Sequence, residues 1–331
     1  KAELKGLAAL GCYGVAVPAE WDGAGLDYLA LAIILEEIAA GDGGTSTVVS
    51  VNNCPVCSIL MAWGSDSQKE RWLKPLARGD MLGAFCLTEP HVGSEAGGLK
   101  TSAVREGDHY VLNGVKQFIT SGKNGDVAIV MAVTDKAAGK KGISAFIVPT
   151  NTPGFKVNKP EQKLGIRASD TCAISFEDCA IPEENLLGQR GEGLKIALSN
   201  LEGGRIGIAA LSVGLAQGAY EAALRYAQER RAFGKTISAF QAIQWKLADN
   251  ATRIEAARWM TYRAAYLKDH GATRTTLESS MAKLYASEIA VQAADDCVQI
   301  HGGYGFVKDY PAEKFFRDVK LTTIGEGTSE I

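Results

Sequence analysis

The spacing of hydrophobic residues changes twice along the chain. In the first quarter, apolar side chains recur at intervals of three and four residues, which is typical of amphipathic helices. The clearest example extends from Leu29 to Ile38, where Asp27 can cap the helix start and Gly41 ends the pattern. Further helices are predicted over 1–10, 48–63 and 67–76.

From about Gly83 the hydrophobic period falls to two. Cys172, Ile174 and Phe176 alternate with small or polar residues, as expected of a half-buried antiparallel strand. The pair Asn113-Gly114 predicts a hairpin turn within 110–116. Further strands are predicted over 127–134, 143–148 and 171–176. Because no helical pattern intervenes, we expect a compact β domain and not a doubly wound sheet.

Long helical patterns return from Glu192 onward. Segments 192–232, 240–269 and 276–300 keep helical spacing, with short breaks at Gly234 and Gly271. Long helices with short connections indicate a four-helix bundle. The predicted fold class is therefore α+β, with an N-terminal helical domain over 1–83, a barrel-like antiparallel β domain over 84–188 and a C-terminal helical bundle over 189–331.

Composition and charge exclude some classes of function. The 331 residues are 46% hydrophobic and 22% charged, which is typical of a globular protein with two or three domains. A net charge of -3 argues against a nucleic-acid partner, and apolar runs such as Leu29–Leu35 are too short for membrane insertion. The chain begins inside a helix, without a visible targeting segment. We therefore expect a piece of a longer protein, and a removed targeting peptide stays open.

The cysteines and histidines predict neither disulfides nor a metal site. The seven cysteines are odd in number and scattered, which favours reduced thiols in a reducing compartment. Cys54 and Cys57 have the spacing of a redox motif, but no strand and turn precede them, so small buried side chains are the favoured interpretation. The four histidines, His91, His109, His270 and His301, are far apart and lack metal-ligand spacing.

The segment Gly325-Glu326-Gly327 carries the strongest candidate for chemistry. A carboxylate between two glycines has no side chain on either flank, so the backbone can approach a ligand closely and Glu326 can reach a reacting atom. The alternative is a simple glycine turn in which Thr328 or Ser329 caps a final helix.

Four other segments offer polar or flat surfaces to a ligand, although each also has a purely structural interpretation. Segment 85–95 carries the hydroxyls of Thr88 and Ser94 beside Pro90 and Gly93, which break regular structure. Phe118 and Thr120 are two residues apart, so a regular strand would present both on one face, as an isoalloxazine ring requires. The remaining two segments are 230–241, with Arg230, Arg231, Phe233 and Gln241, and the glycine-rich 299–306. The loop 188–193 has the wrong spacing for a Rossmann site.

In this order, these segments resemble the acyl-CoA dehydrogenase family of flavoproteins over essentially the whole chain. The resemblance is greatest to the short-chain and short branched-chain members of bacterial type. It rests also on the motifs Val51-Asn52-Asn53, Lys163-Leu164-Gly165-Ile166-Arg167, Phe176-Glu177-Asp178-Cys179, Gly204-Arg205-Ile206-Gly207-Ile208-Ala209 and Phe240-Gln241.

The resemblance implies an FAD-dependent dehydrogenase that forms a trans-2 double bond in an acyl-CoA and passes electrons to an electron-transfer flavoprotein. It implies a homotetramer, built as a dimer of dimers, in the bacterial cytoplasm or the mitochondrial matrix. The alternatives are an enzyme of cyclic or aromatic acyl-CoA degradation and an acyl-CoA oxidase. A helical scaffold without flavin is the non-enzymatic alternative.

The resemblance also assigns roles to individual residues. Glu326 matches the catalytic base, and Thr120 lies near flavin N5. The implied FAD-binding residues are Phe85, Leu87, Thr88, Gly93, Ser94, Phe118, Ile119, Thr120, Arg230, Phe233, Gln241, Gln299, Gly302, Gly303, Thr328, Ser329 and Glu330. The implied substrate-binding residues are Ser94, Leu201, Glu202, Arg205, Gly325 and Gly327.

The chain departs from the family pattern at several positions. Most well-known members have tyrosine where this chain has Gly325, and many have tryptophan where it has Phe118. A minority place the base on the long helix at the position of Gly204, which leaves Glu326 as the only candidate here. No arginine lies near Ser46, which argues against a dicarboxylic substrate.

Overall fold

The computed structural model describes residues 2–272 and 274–331, which fold into two compact units. The first, called the β unit here, comprises the described residues of Lys1–Asp27, Val48–Gln162 and Ser169–Gly204. The second, called the helical unit, comprises the described residues of Tyr28–Thr47, Lys163–Ala168 and Arg205–Ile331. The predicted order of helical, β and helical regions along the chain is confirmed. The domain boundaries after residues 83 and 188 stay a prediction.

The first quarter of the chain is helical, in shorter pieces than the sequence predicts. Its α-helices are α1 (Ala2–Ala9), α2 (Tyr28–Gly41), α3 (Gly43–Val51), α4 (Ser58–Trp63), α5 (Asp66–Gln68) and α6 (Lys74–Arg78). Two π-helical turns, Asn52–Cys57 and Lys69–Leu73, interrupt the predicted helices 48–63 and 67–76. In the first of these turns Cys54 has the extended dihedral angles φ -139° and ψ 118°, so the helix is kinked there.

The strands of the β unit form one sheet. They are β1 (Gly83–Cys86), β2 (Ser102–Glu106), β3 (His109–Thr120), β4 (Val127–Val133), β5 (Ile143–Pro149), β6 (Phe155–Val157), β7 (Thr171–Pro182) and β8 (Leu186–Leu187). The strand order is β6-β7-β3-β2-β4-β5-β8, and β1 pairs with β4 in parallel. Strand β4 is buried on both faces. Val127, Ile129 and Met131 pack against residues of α4 and α6, while Ala128 and Val130 pack toward β3 and β7.

The predicted hairpin turn at Asn113-Gly114 is wrong, because β3 continues through both residues. The turn lies earlier, at Gly107, where Glu106 pairs with His109. Gly114 instead forms a bulge against β7, with φ 148°, and the Asn113 side chain bonds Asp178 across it at 3.1 Å. An Asn-Gly pair favours positive φ in a bulge as well as in a turn, so local sequence does not separate the two.

The helical unit contains the long helices. Helix α7 (Gly193–Ser199) belongs to the β unit. Helix α8 (Leu201–Glu229) begins in the β unit and continues in the helical unit from Arg205. The helical unit also contains α9 (Gln241–Asp269), α10 (Thr276–His301) and α11 (Ala312–Val319). The prediction of one continuous helix over 192–232 is wrong in its interior and at its C-terminal end. The chain breaks at Asn200, and after Glu229 it forms the short pair β9 (Arg231–Ala232) and β10 (Lys235–Thr236). None of the helices in the described part of the chain combines the length and apolarity required to span a membrane.

A buried polar network fixes α2 to α9 within the helical unit. Glu36 is 5% exposed and accepts hydrogen bonds from Arg258 Nε at 2.7 Å and from the Tyr262 hydroxyl at 2.8 Å. At the start of α2, the Asp269 carboxylate accepts the N–H groups of Tyr28 and Leu29 at 2.9 and 3.0 Å. Residues that the sequence assigns to the N-terminal helical domain are therefore held by long-range bonds to a C-terminal helix.

The bulge at Gly114 gives a stability prediction. A Cβ atom there would lie 2.6 Å from Thr101 Oγ1 and 2.7 Å from Thr101 Cα, whereas a Cβ at Gly107 meets nothing within 4 Å. Gly107→Ala should therefore lower the free energy of unfolding by about 1 kcal/mol, the cost of left-handed backbone alone. Gly114→Ala should lower it by about 3 kcal/mol, because overpacking adds to that cost. Chemical denaturation of both variants measures these changes; equal effects would contradict the bulge.

Candidate functional site

Glu326 lies in a strained turn after the last 3₁₀ helix, Lys320–Thr323. Its φ is 55° and that of Gly327 is 101°, so two consecutive residues have left-handed backbone. The turn is closed by the N–H of Gly325, which donates to Leu321 O at 2.8 Å, and by the N–H of Ser329, which donates to Thr323 O at 3.0 Å. Between them, the N–H of Glu326 has no hydrogen-bond acceptor among the described residues.

Two cations from different helices surround this turn. Lys283 on α10 is 4% exposed and donates from Nζ to the carbonyl oxygen of Gly327 at 2.6 Å. Arg205 on α8 interacts electrostatically with Glu326, and its guanidinium donates to Ser280 Oγ at 2.9 Å. Helix α10 therefore carries one cation, Lys283, and binds the other, Arg205, through Ser280. These two α10 residues are three positions apart, so they lie on one face of the helix.

The pKa of the Glu326 carboxyl is raised to about 7, because the surrounding protein desolvates it. The charges of Arg205 and Lys283 oppose this rise by favouring the carboxylate. The Glu326 residue keeps part of its surface accessible. A carboxylate with these properties can exchange a proton near neutral pH.

In the β unit, the structure brings the predicted segments 85–94 and 118–120 together. The N–H of Gln117 donates to Thr88 O at 2.8 Å, and Lys116 Nζ donates to Leu87 O at 3.1 Å and to Glu89 Oε1 at 2.8 Å. Glu89 also accepts the backbone N–H groups of Lys100 and Thr101 at 2.7 and 3.0 Å. Burial raises the pKa of Glu89, but the Lys116 ammonium and these donors hold it below the ordinary value.

Phe118 departs from the regular strand that the sequence predicts. Its φ is 58°, and the pairing of β3 with β7 shifts register between Lys116 and Ile119. The Phe118 ring is 64% exposed, whereas Ile119 is buried and Thr120 is half-buried. The prediction that Phe118 and Thr120 share a face rested on regular alternation, which the bulge interrupts. The bulge presents a flat apolar ring to solvent beside the 85–94 segment.

In the helical unit, the end of α8 and the glycine-rich segment lie side by side. The Arg230 guanidinium lies 5.5 Å from the centroid of the Tyr304 ring, within the 3₁₀ turn Gly302–Phe306. Phe233 has φ 49° and is 95% exposed, with its ring centroid 6.1 Å from that of Phe240. The predicted binding residues of this region are exposed, namely Arg230, Phe233, Gln241, Gln299, Gly302 and Gly303.

The remaining predicted residues lie as follows. Gly93 and Ser94 are exposed, and Phe85, Leu87 and Thr88 are half-buried in the β unit. Leu201 and Glu202 begin α8, one turn before Arg205. Gly325, Gly327, Thr328 and Ser329 are half-buried and Glu330 is exposed, all in the segment that carries Glu326.

Sequence reasoning missed Lys283, Ser280 and the Glu89–Lys116 pair. Lys283 stands between Ala282 and Ala286 in an alanine-rich run with helical spacing, where an ordinary surface lysine is not expected. Lys116 follows Tyr110 and Leu112 at even spacing on the inner side of β3. Because a buried ammonium is costly without an opposite charge, this spacing predicts a buried carboxylate partner. In both cases, a lysine at a position where the spacing predicts burial was the signal that the sequence offered.

Family models match three consecutive parts of the chain, in the order of its helical, β and helical regions. Models of the acyl-CoA dehydrogenase N-terminal, middle and C-terminal domains match residues 1–80, 84–179 and 191–331.

Individual relatives and solved structures match over almost the whole chain. The short-chain specific acyl-CoA dehydrogenase of Rattus norvegicus mitochondria is 49% identical, with 99% of this chain and 80% of that protein covered. The structure of butyryl-CoA dehydrogenase from Megasphaera elsdenii has a TM-score of 0.96 and 42% identity, covering 100% of this chain and 87% of that chain. A structure described under the electron transferring flavoprotein of Acidaminococcus fermentans has a TM-score of 0.96 and 46% identity, covering 99% of this chain and 86% of that chain.

The raised pKa of Glu326 predicts that this residue destabilises the protein above neutral pH. Because its folded pKa of about 7 exceeds the ordinary value of 4.5, stability falls as pH rises through this window. The gain in unfolding free energy from Glu326→Gln should therefore be greater at pH 8 than at pH 5, by about 1–2 kcal/mol.

The control for this measurement is Glu330→Gln. A hydrogen bond with the Thr328 side chain holds the pKa of Glu330 below its ordinary value, so its substitution should give no gain that grows with pH. Denaturation of FAD-saturated protein at both pH values provides the comparison. A Glu326→Gln effect that is independent of pH would contradict the desolvated carboxylate.

Proposed function

We propose, on the premise that this chain belongs to the acyl-CoA dehydrogenase family, that it introduces a trans-2 double bond into a short or short branched-chain acyl-CoA. The enzyme is an FAD-dependent oxidoreductase that acts on a CH–CH bond. The observation that carries the proposal is the Glu326 carboxyl, desolvated to a pKa of about 7 and flanked by Arg205 and Lys283. Such a group is both deprotonated and appreciably basic near neutral pH.

Glu326 is assigned the removal of the α proton of the thioester. A free carboxylate is too weak a base for this proton, so the developing enolate oxygen requires hydrogen-bond donors. The N–H of Glu326, between the two bonds that close its turn, is a donor of this kind. One such donor in a dry site contributes about 3 kcal/mol to the transition state. An acyl chain that expels water raises the pKa of Glu326 further and makes it a stronger base.

The residues of the β unit fit the flavin ring of FAD. When bound, FAD accepts the β hydride at N5. The exposed Phe118 ring supplies a flat apolar wall, and the hydroxyls of Thr88, Ser94 and Thr120 are suited to the polar edge of the ring. The full set assigned to the ring is Phe85, Leu87, Thr88, Gly93, Ser94, Phe118, Ile119 and Thr120.

The exposed residues at the end of α8 fit the diphosphate and adenosine parts of FAD. Arg230 presents a fork of donors that matches phosphate geometry, and the neighbouring glycines permit close backbone approach. The set assigned here is Arg230, Phe233, Gln241, Gln299, Gly302 and Gly303, and the segment Thr328, Ser329 and Glu330 is assigned to the pyrophosphate region.

The acyl-CoA thioester is assigned to Ser94, Leu201, Glu202, Arg205, Gly325 and Gly327. The relatives named above act, by their names, on short-chain and butyryl substrates. A glycine at 325 removes the ring that most family members place before the base. The nearest atoms that a Cβ at Gly325 would meet belong to Leu321, at 3.6–3.9 Å, so the turn itself leaves room there. We therefore favour short acyl chains with a branch or ring near the reacting carbons.

An electron-transfer flavoprotein is the proposed electron acceptor, in the bacterial cytoplasm or the mitochondrial matrix. The Acidaminococcus structure and the mitochondrial location in the name of the Rattus relative support these assignments. Rapid reoxidation by air, without a need for an electron-transfer flavoprotein, would instead identify an acyl-CoA oxidase.

The first prediction concerns Glu326→Gln. The amide is nearly isosteric and cannot accept the proton, so FAD and substrate binding should persist while kcat falls to below a tenth of the wild-type value, a change of at least about 1.4 kcal/mol. Steady-state assays with an artificial acceptor measure kcat, and flavin absorption reports binding. Glu326→Asp keeps a base and should retain more activity. A Gln variant above a tenth of the wild-type rate would show that Glu326 is not the base.

The second prediction concerns Gly325. The native enzyme should prefer isobutyryl-, 2-methylbutyryl- or cyclohexanecarbonyl-CoA to butyryl-CoA in kcat/KM, because one or two extra methylenes in an apolar space contribute about 1–3 kcal/mol. Gly325→Tyr should shift the preference toward butyryl-CoA, and Gly325→Ala serves as the control without a ring. If butyryl-CoA is the best native substrate and tyrosine leaves the ranking unchanged, the pocket hypothesis fails.

The third prediction is a homotetramer arranged as a dimer of dimers. Helix α9 exposes Trp245 and Trp259, each at 64%, and Tyr266 at 50%, with spacings that are multiples of seven. These rings form one apolar stripe, of a kind that monomers rarely leave open. Sedimentation velocity should give a tetramer with bound FAD, and Trp259→Glu should dissociate it and release flavin, whereas Trp259→Phe should not. A flavin-saturated monomer would contradict the assembly.

A further inference from the structure

The turn that carries Glu326 requires an external anchor. Left-handed backbone is unfavourable for an ordinary L-residue, and here it occurs at Glu326 itself, directly before a second left-handed residue, Gly327. The hydrogen bonds of Gly325 to Leu321 and of Ser329 to Thr323 close the ends of this segment. Neither involves the Gly327–Thr328 peptide, one residue beyond Glu326.

Lys283 supplies the bond at that peptide. Its Nζ donates to the carbonyl oxygen of Gly327 at 2.6 Å, and the residue is 4% exposed. A buried ammonium is retained only where it is hydrogen-bonded and opposed by negative charge. The opposing carboxylates are Glu326 and Glu330, while Arg205 on α8 repels the ammonium.

We propose that Lys283 is a positioning residue for the reaction. By donating to the Gly327 carbonyl from the middle of α10, its buried ammonium holds the left-handed turn that presents the Glu326 carboxylate to the substrate α-carbon. This inference rests on the role proposed above for Glu326.

The charge of Lys283 has a second consequence, which separates positioning from simple packing. Burial of Glu326 raises its pKa, and the charges of Arg205 and Lys283 limit that rise. Loss of the ammonium should therefore move the acid limb of kcat/KM to higher pH, because the neutral form of the base persists further. After loss of the ammonium, Arg205 is the charged group that still faces Glu326, while Glu330 faces the position of Lys283.

The experiment compares Lys283→Met, Lys283→Arg and Lys320→Met in the FAD-loaded protein. Lys283→Met should lower kcat about 30-fold, because a displacement of the base by an ångström costs up to about 100-fold, while KM changes by less than about threefold. Its acid limb should move to higher pH. Lys283→Arg keeps a charged donor and should retain at least about a third of kcat. Lys320 is an exposed lysine beside the same turn, and its loss should change kcat by less than about twofold.

Hydrogen exchange gives a readout that does not depend on activity. In Lys283→Met, amides of 324–331 should exchange faster, while those of α9 should not change. Unchanged kcat, acid limb and exchange in Lys283→Met, with Glu326→Gln inactive, would overturn the role of Lys283 and leave that of Glu326 intact. An active Glu326→Gln would overturn both. If Lys283→Met does not fold, Lys283→Arg decides: a rate below a tenth of wild type with normal FAD content contradicts the proposal.

Discussion

Desolvation of the Glu326 carboxyl is the constraint on which the candidate chemistry depends. A carboxyl in water titrates near its ordinary value of 4.5 and is a feeble base, whereas burial brings this one to about 7. Burial of an unopposed anion is costly, so the fold provides Arg205 and Lys283 to keep the carboxylate accessible as a charged species. The pKa of the base is therefore a balance between desolvation and two cations.

The same balance appears in the β unit, with a different purpose. Glu89 and Lys116 form a buried pair at 2.8 Å; Lys116 also donates to the carbonyl oxygen of Leu87, and Glu89 also accepts the N–H of Lys100. Removal of one partner from a buried pair typically destabilises a protein by about 3–5 kcal/mol, because the other charge is left uncompensated. This pair fixes the loop that carries Thr88 next to the strand that carries Phe118. The pair therefore contributes by fixing this local structure and not by direct contact with a ligand.

The order of helical and β regions and most of the long elements could be predicted from periodicity, since burial of one face imposes a period of 3.6 or 2 on the sequence. The predicted boundaries of helices and strands were wrong where the local sequence is compatible with more than one structure. Asn113-Gly114 suits a bulge as well as a turn, and Arg230 to Ala232 continue a helical pattern that the structure ends at Glu229. The bulge depends on a partner far away in the sequence, Asp178 across the sheet. After Glu229 the chain instead pairs with itself locally, Arg231 with Thr236 and Ala232 with Lys235.

The sequence by itself determined the class of fold, the family resemblance and the candidate base, Glu326, in its glycine-flanked turn. Only the tertiary structure decided how basic that carboxylate is and what holds it. Lys283 and Ser280 precede Glu326 by more than forty residues, and Arg205 by more than a hundred. Their proximity follows from the packing of α8 and α10 in the helical unit, and no local pattern encodes it. Electrostatic fields act through space, so the pKa of Glu326 is a property of the fold and not of the segment that carries it.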